Sequence, residues 1–136
     1  MKMRIQGNAI RFRLNRKEVA ELAFAGQILE FVEFAAGGDQ RLVYAIEVDA
    51  ELYAVVADYQ EGKITVRLPQ AQAREWLETE RIGLDGEQAL ASGRMLRILI
   101  EKDFQCLHTG NGRTEDEIDR EGYPNPLADA NRQEAG

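Results

Sequence analysis

The chain has 136 residues, 44% of them hydrophobic and 30% charged, with 17 Lys or Arg against 24 Asp or Glu and a formal net charge of −7. That length fits one domain with a core that needs no disulfide or structural metal, and the composition is globular rather than disordered. No apolar run approaches the roughly 20 residues a membrane-spanning helix needs. Residues 1–14 lack the apolar block of a signal peptide, and the single cysteine, Cys106, permits no intrachain disulfide, so a bacterial cytoplasmic location is expected.

The charge is uneven. Six cations (Lys2, Arg4, Arg11, Arg13, Arg16, Lys17) and no acid precede Glu18, leaving 11 cations against 24 acids in the rest. Such an acidic chain lacks the general field that gathers nucleic acid, but one local basic patch remains.

In chain order, Met1, Met3 and Ile5 alternate with polar residues up to Gly7-Asn8, and Ile10, Phe12 and Leu14 alternate after it. A two-residue primed turn at Gly7-Asn8 pairs Ile5 with Ile10, Met3 with Phe12 and Met1 with Leu14 on an apolar face. The opposite face then sets Arg4 against Arg11 and Lys2 against Arg13. Asn15 with Glu18 reads as a capping box, Val19, Leu22 and Ala23 mark one face of a short helix, and Gly26 stops it.

Four strands follow, over residues 28–35, 42–48, 53–59 and 63–68, with turns at Gly37-Gly38-Asp39 and Glu61-Gly62. Their order reads as a meander, the last two pairing Tyr59 with Ile64, Ala57 with Val66, Val55 with Leu68 and Asp58 with Thr65. Pro69 suits the first turn of a second helix carrying Ala73, Trp76 and Leu77. A last hairpin covers residues 82–90 and 95–104 around Ser92-Gly93, its register undetermined by alternation. The expected fold is therefore α+β: an antiparallel sheet of about eight strands, order ββα-ββββ-α-ββ, with two short helices. Alternation leaves open whether that sheet curves into a barrel. Residues 1–108 are expected as the single domain. Residues 109–136, with seven acids, three arginines, Pro124 and Pro126, read as an acidic tail packed on the domain or on a partner. No repeat of solenoid length is visible.

Two candidate sites emerge. Lys2, Arg4, Arg11 and Arg13 crowd one hairpin face, where opposed like charges are unfavourable unless something negative approaches. A bound phosphate, nucleotide or acidic peptide would supply it. The more economical reading is neutralisation by the domain's own acids, such as Glu47, Asp49, Asp58 and Glu101. Cys106 and His108, beside Glu115, Asp116, Glu117 and Asp119, carry metal-ligand chemistry but only half of a strong zinc pattern. As a nucleophile pair they lack a group to orient the imidazole. Trp76 reads as core, and Tyr44, Tyr53 and Tyr59 could line a pocket on half-buried strands. No phosphate-binding glycine loop, nucleophile elbow or zinc-protease helix motif is present, and no cofactor is implied.

The opening Lys2-Met3-Arg4-Ile5-Gln6-Gly7-Asn8 resembles that of a family of small uncharacterised bacterial proteins with a Lys-x-Arg-Ile-x-Gly-Asn hairpin. The likeness continues at Arg67-Leu68-Pro69 with Trp76, at residues 98–104 with Cys106-Leu107, and at Tyr123-Pro124-Asn125-Pro126. It spans nearly the whole chain, brings no activity, and implies that the tail belongs to the domain. In outline the chain is also similar to the triphosphate tunnel enzymes, whose barrels hold polyphosphate and a divalent metal. It has Lys2-Met3-Arg4-Ile5 where they have Glu-x-Glu-x-Lys.

The leading expectation is a non-catalytic binding or assembly module, homo-oligomeric, whose basic hairpin meets a small anion or an acidic protein partner, with no role for nucleic acid or membrane. The alternative is a phosphate-ester hydrolase acting on polyphosphate or nucleotide, with carboxylates holding Mg²⁺ or Mn²⁺. It requires the basic face to be concave, enclosed and furnished with converging acids.

Overall fold

The computed structural model describes residues 1–103. The first hairpin joins β1 (Lys2–Ile5) to β2 (Ala9–Leu14), with Lys2 opposite Arg13, Met3 opposite Phe12, Arg4 opposite Arg11 and Ile5 opposite Ile10. This is the register read from alternation, and it follows from a turn that Gly7 closes with φ of 60°. The helix α1 (Arg16–Ala25) begins with the full capping box: Asn15 Oδ1 accepts from the Glu18 backbone and Glu18 reaches back to the Asn15 N–H. It ends at Gly26 in the left-handed region.

The strands β3 (Gln27–Glu33) and β4 (Arg41–Asp49) form the second hairpin, and β5 (Val56–Gln60) and β6 (Lys63–Pro69) the third. Their turn at Glu61-Gly62 has positive φ at both residues, and Tyr59–Ile64, Ala57–Val66 and Asp58–Thr65 pair as expected, whereas β5 begins at Val56 rather than Tyr53 and the expected Val55–Leu68 pair does not form in the ladder. Pro69 closes β6 as the residue before α2 (Gln70–Glu78) instead of lying within its first turn. The fourth hairpin is β7 (Gly83–Ala89) with β8 (Met95–Lys102).

The expected meander and the single antiparallel sheet are not what forms. Among the described residues two mixed four-stranded sheets are present, ordered β1-β2-β8-β7 and β3-β4-β6-β5, and neither closes into a barrel. Each is a pair of antiparallel hairpins whose inner strands run parallel: β2 against β8 in the terminal sheet, β4 against β6 in the middle sheet. The physical reason is burial. Inner strands are covered on both edges and pack one face on the core, so β6 carries Ile64, Val66 and Leu68 inward, and β8 carries Ile98 and Ile100. Local alternation specifies which face is buried but says nothing of which hairpin lies alongside.

The sheets turn their apolar faces to one core, with Phe12, Leu14, Leu84, Ile98 and Ile100 from one and Ile28, Ile46, Ile64, Val66 and Leu68 from the other. The Phe12 and Tyr44 rings stack across it at 6.4 Å. Leu22 of α1 and Ala73 and Trp76 of α2 complete it, the Trp76 Nε1 donating to the Ile82 carbonyl at 2.8 Å.

The order ββαββ occurs twice, and the second passage retraces the first. Exchanging β1–β4 with β5–β8 converts the strand order of one sheet into that of the other. The interval separating Arg13-Leu14 from Arg67-Leu68 also separates Ile46-Glu47 from Ile100-Glu101 and Asp49 from Asp103. It is a twofold repeat spread across interleaved hairpins, not a solenoid. The expected tail, residues 109–136, lies outside the described residues.

Candidate anion site on the terminal sheet

The registers set the outward side chains of the terminal sheet in three cross-strand rows, read from β1 to β7. They are Lys2–Arg13–Glu101–Gly83, then Arg4–Arg11–Leu99–Asp85, then Ala9–Arg97–Glu87 on the three strands that reach that far. All four cations singled out from the sequence are therefore brought together, facing away from the core.

In the first row Glu101 serves two arginines, its Oε1 lying 3.5 Å from Arg13 Nε and 3.8 Å from Arg11 Nε. Of the acids expected to neutralise this face, only Glu101 is on it. Glu47, Asp49 and Asp58 belong to the middle sheet, a correction that follows from the parallel pairing of β2 with β8. Lys2 and Arg11 have further interactions of their own. Arg4 has no ion pair among the described residues, and Arg97 meets only Glu87 there, at 3.9 Å with both side chains largely exposed.

Between the second and third rows the small side chain of Ala9 leaves an open depression of about 370 Å³, bordered by Arg4, Gln6, Arg11 and Arg97, with Asp85 and Glu87 on its far side. Three guanidinium groups around one hollow suit a multidentate anion, since each presents a planar fork of donors. Arg97 was missed from sequence because the register of the last hairpin was undetermined. Its parity with Glu101, two positions along from Leu99, was the available signal.

The equivalent face of the middle sheet is self-contained. Its rows are Val56–Arg67–Glu47–Gln27, Asp58–Thr65–Ala45–Leu29 and Gln60–Lys63–Val43–Phe31. Arg67 donates to Asp58 at 2.7 Å and lies 3.6 Å from Glu47. The Asp58 hydrogen bond, opposed by partial burial, holds its pKa above the ordinary arginine value. A wider hollow of about 660 Å³ there has Asp39, Asp58 and Glu61 beside Arg41, Lys63 and Arg67. Its charges are balanced from within.

The other candidates separate. Cys106 and His108 lie outside the described residues. Among the described residues, no three His, Cys, Asp or Glu side chains gather as a metal site, and the basic face is an open outward surface rather than an enclosed cavity. Tyr53 and Tyr59 are strongly exposed while Tyr44 is half-buried, donating to Glu30 at 3.2 Å, so the three tyrosines line no common pocket. Trp76 is core, as read.

Residues 1–127 match the model of a family of unknown function, DUF7009. The chain belongs to that family. No curated protein matches it, and no solved structure does. The family match spans both ββαββ passages and most of the acidic segment, in accord with the resemblance drawn from the opening hairpin and carrying no activity with it. No helix among the described residues is long and apolar enough to cross a membrane.

Proposed function

We propose that the protein is a non-catalytic binding module whose terminal sheet takes an anionic group, a phosphate or a clustered carboxylate, in the hollow between Arg4, Arg11 and Arg97. The observation that carries this reading is the unequal charge balance of two equivalent faces. Where the middle sheet holds Asp58 and Thr65, the terminal sheet has Arg4 and Arg11, and where it holds Val43 the terminal sheet has Arg97. The basic residues are therefore not demanded by the fold, which is built equally well without them. Desolvating like charges side by side costs stability unless a ligand of opposite sign arrives. The partner in a reducing cytoplasm is a small multivalent anion or an acidic segment of another protein. The face is open, and among the described residues the acids bordering its hollow are Asp85 and Glu87, with Glu101 engaged by Arg13 and Arg11, an arrangement that favours binding over metal-assisted hydrolysis.

A thermal-shift titration tests this with inorganic phosphate, tripolyphosphate, nucleotides and a poly-glutamate peptide. A ligand at a hundredfold excess over Kd stabilises the native state by about 2.7 kcal/mol, and the gain shrinks with added salt. It should vanish in Arg4→Ala/Arg97→Ala. If that double variant is more stable than the parent and no anion shifts the parent's Tm, the face is merely solvated and the reading is lost.

A further inference from the structure

The two passages differ most at one corner. In the second, β7 is fastened to the neighbouring hairpin: Gln88 donates to the Ala57 carbonyl and accepts from its N–H, at 3.0 and 2.9 Å. There Gly86 leaves room for Val55, which lies 2.9 Å from where a Cβ would stand. In the first passage, Val32 occupies the place of Gln88 and Glu30 that of Gly86, as judged from Ile28 and Leu84, which face Ile46 and Ile100. Valine offers no such hydrogen bonds, and the edge of β3 is left without that fastening. It exposes Leu29 (49%), Phe31 (48%) and Val32 (43%), an apolar sheet edge of the kind that proteins normally blunt.

Two features of that edge point to its occupant. Phe34 N–H donates to Gln40 and Val48 N–H to Gly26, so the even-numbered residues of β3 bond to β4. The N–H and C=O groups of Gln27, Leu29, Phe31 and Glu33 face outward. The strand, QILEFVE, is also close to a palindrome about Glu30: Leu29 mirrors Phe31, Ile28 mirrors Val32 and Gln27 mirrors Glu33. A strand of that pattern is complementary to itself when reversed, as a twofold interface requires.

We infer that the protein forms a symmetric dimer through antiparallel pairing of β3 with β3 of a second copy, centred on Glu30. Leu29 of each copy stands opposite Phe31 of the other in a hydrogen-bonded pair, and Gln27 stands opposite Glu33. Glu30 faces its own counterpart at a non-hydrogen-bonded position, its charge partly met within each chain by the Met1 ammonium at 2.9 Å. The two middle sheets become one eight-stranded sheet, β5-β6-β4-β3 continued by β3-β4-β6-β5. The basic hollow lies on the other sheet, so the dimer and the anion site stand or fall separately.

Sedimentation velocity of the full chain tests this over a range of concentrations. The parent should sediment as a dimer, and a parent that stays monomeric at every concentration overturns the inference. Phe31→Lys should give a monomer with unchanged circular dichroism. Phe31→Pro should do the same, because it deletes an outward N–H and leaves the bonds to β4 intact. A dimer that survives both variants overturns it too. Register is read by oxidising Glu30→Cys in a Cys106→Ser background. Cross-strand cysteines at a non-hydrogen-bonded pair fall within disulfide reach, so this variant should cross-link to dimer while Gln27→Cys does not. Equal cross-linking of the two, or none in either, rules out pairing about Glu30. The anion response of Phe31→Lys should match the parent's.

Discussion

The two sheets share one plan and differ in the side chains they carry on it. Each has a parallel inner pair bridged on its outer face by an Arg–Glu contact at the same place, Arg13 with Glu101 and Arg67 with Glu47. Beyond that common row they part. The middle sheet surrounds Arg67 with acid and continues into Thr65, Ala45 and Leu29, whereas the terminal sheet continues into Arg4, Arg11 and Arg97. A feature present in both halves is most simply a requirement of the architecture, and one present in a single half is a candidate for function. By that criterion the Arg–Glu row is structural, and the basic hollow and the apolar β3 edge are the places where the proposed binding and pairing are to be tested.

The comparison is most severely tested in the core. Trp76 and Leu22 occupy the equivalent position of the two helices, both fully buried. Trp76→Ala should cost about 3–5 kcal/mol and Leu22→Ala about 2–5 kcal/mol in urea denaturation. The former should be the larger, since it also removes one of the two donors to the Ile82 carbonyl, leaving only the Lys102 N–H. A Trp76 variant that unfolds no more easily than wild type would mean that the second passage does not share the first one's core.

Next in size are the corners. Gly86→Ala should destabilise by about 1–3 kcal/mol through overpacking against Val55. Gln88→Ala should cost about 1–3 kcal/mol by leaving the Ala57 N–H and C=O without the partner they have. Val32→Ala at the equivalent corner should fall within roughly 0.5 kcal/mol in the monomeric Phe31→Lys background. Near-equal losses for Gln88 and Val32 would show that the corners are fastened alike and would remove the contrast that leaves β3 open.

Smaller again is the shared row. Arg67→Met should cost about 0.2–1 kcal/mol and lose that cost in high salt, as partly exposed pairs do. Arg13→Met should cost less or even stabilise, because Arg13 shares its one carboxylate with Arg11, lacks a bond like that of Arg67 to Asp58, and stands opposite Lys2. Equal losses in urea denaturation would make the row structurally identical in the two sheets.

Much of this was legible from the chain. Alternation and turn residues gave the β1–β2 and β5–β6 registers, because a two-residue loop leaves a hairpin no freedom to slip, although the outermost expected pairs, Met1–Leu14 and Val55–Leu68, fall beyond the ladders. Asn15, Glu18 and Gly26 marked both ends of α1 for equally local reasons. The parallel joins of β2 with β8 and β4 with β6 were not legible, since they are non-local and no side-chain period encodes a neighbour. The same gap hid Arg97, which enters the site only once β8 is known to lie beside β2. The twofold plan left a faint trace in Arg-Leu and Ile-Glu pairs at one spacing, too few to stand out among 136 residues.

The last expected difference is one of pH. Tyr44 lies at the corner of the first passage, and its counterpart by the same interval is Ile98, which does not titrate. Burial, the charge of Glu30 and the hydrogen bond to Glu30 together raise the Tyr44 pKa above its ordinary value of 10.0. A phenol whose pKa is higher in the folded state binds its proton more tightly there, so unfolding releases it. The resulting stability is fully present below about pH 10 and is lost as pH rises through the folded value. Wild-type stability should therefore decline more steeply above pH 10 than that of Tyr44→Phe, while the two run parallel near neutrality, as urea midpoints at a series of pH values would show. If both lose stability equally in alkali, burial and Glu30 do not hold the Tyr44 proton in the folded state. The Met1 ammonium would then be the partner that holds the Glu30 carboxylate, and the first corner would be looser by one interaction.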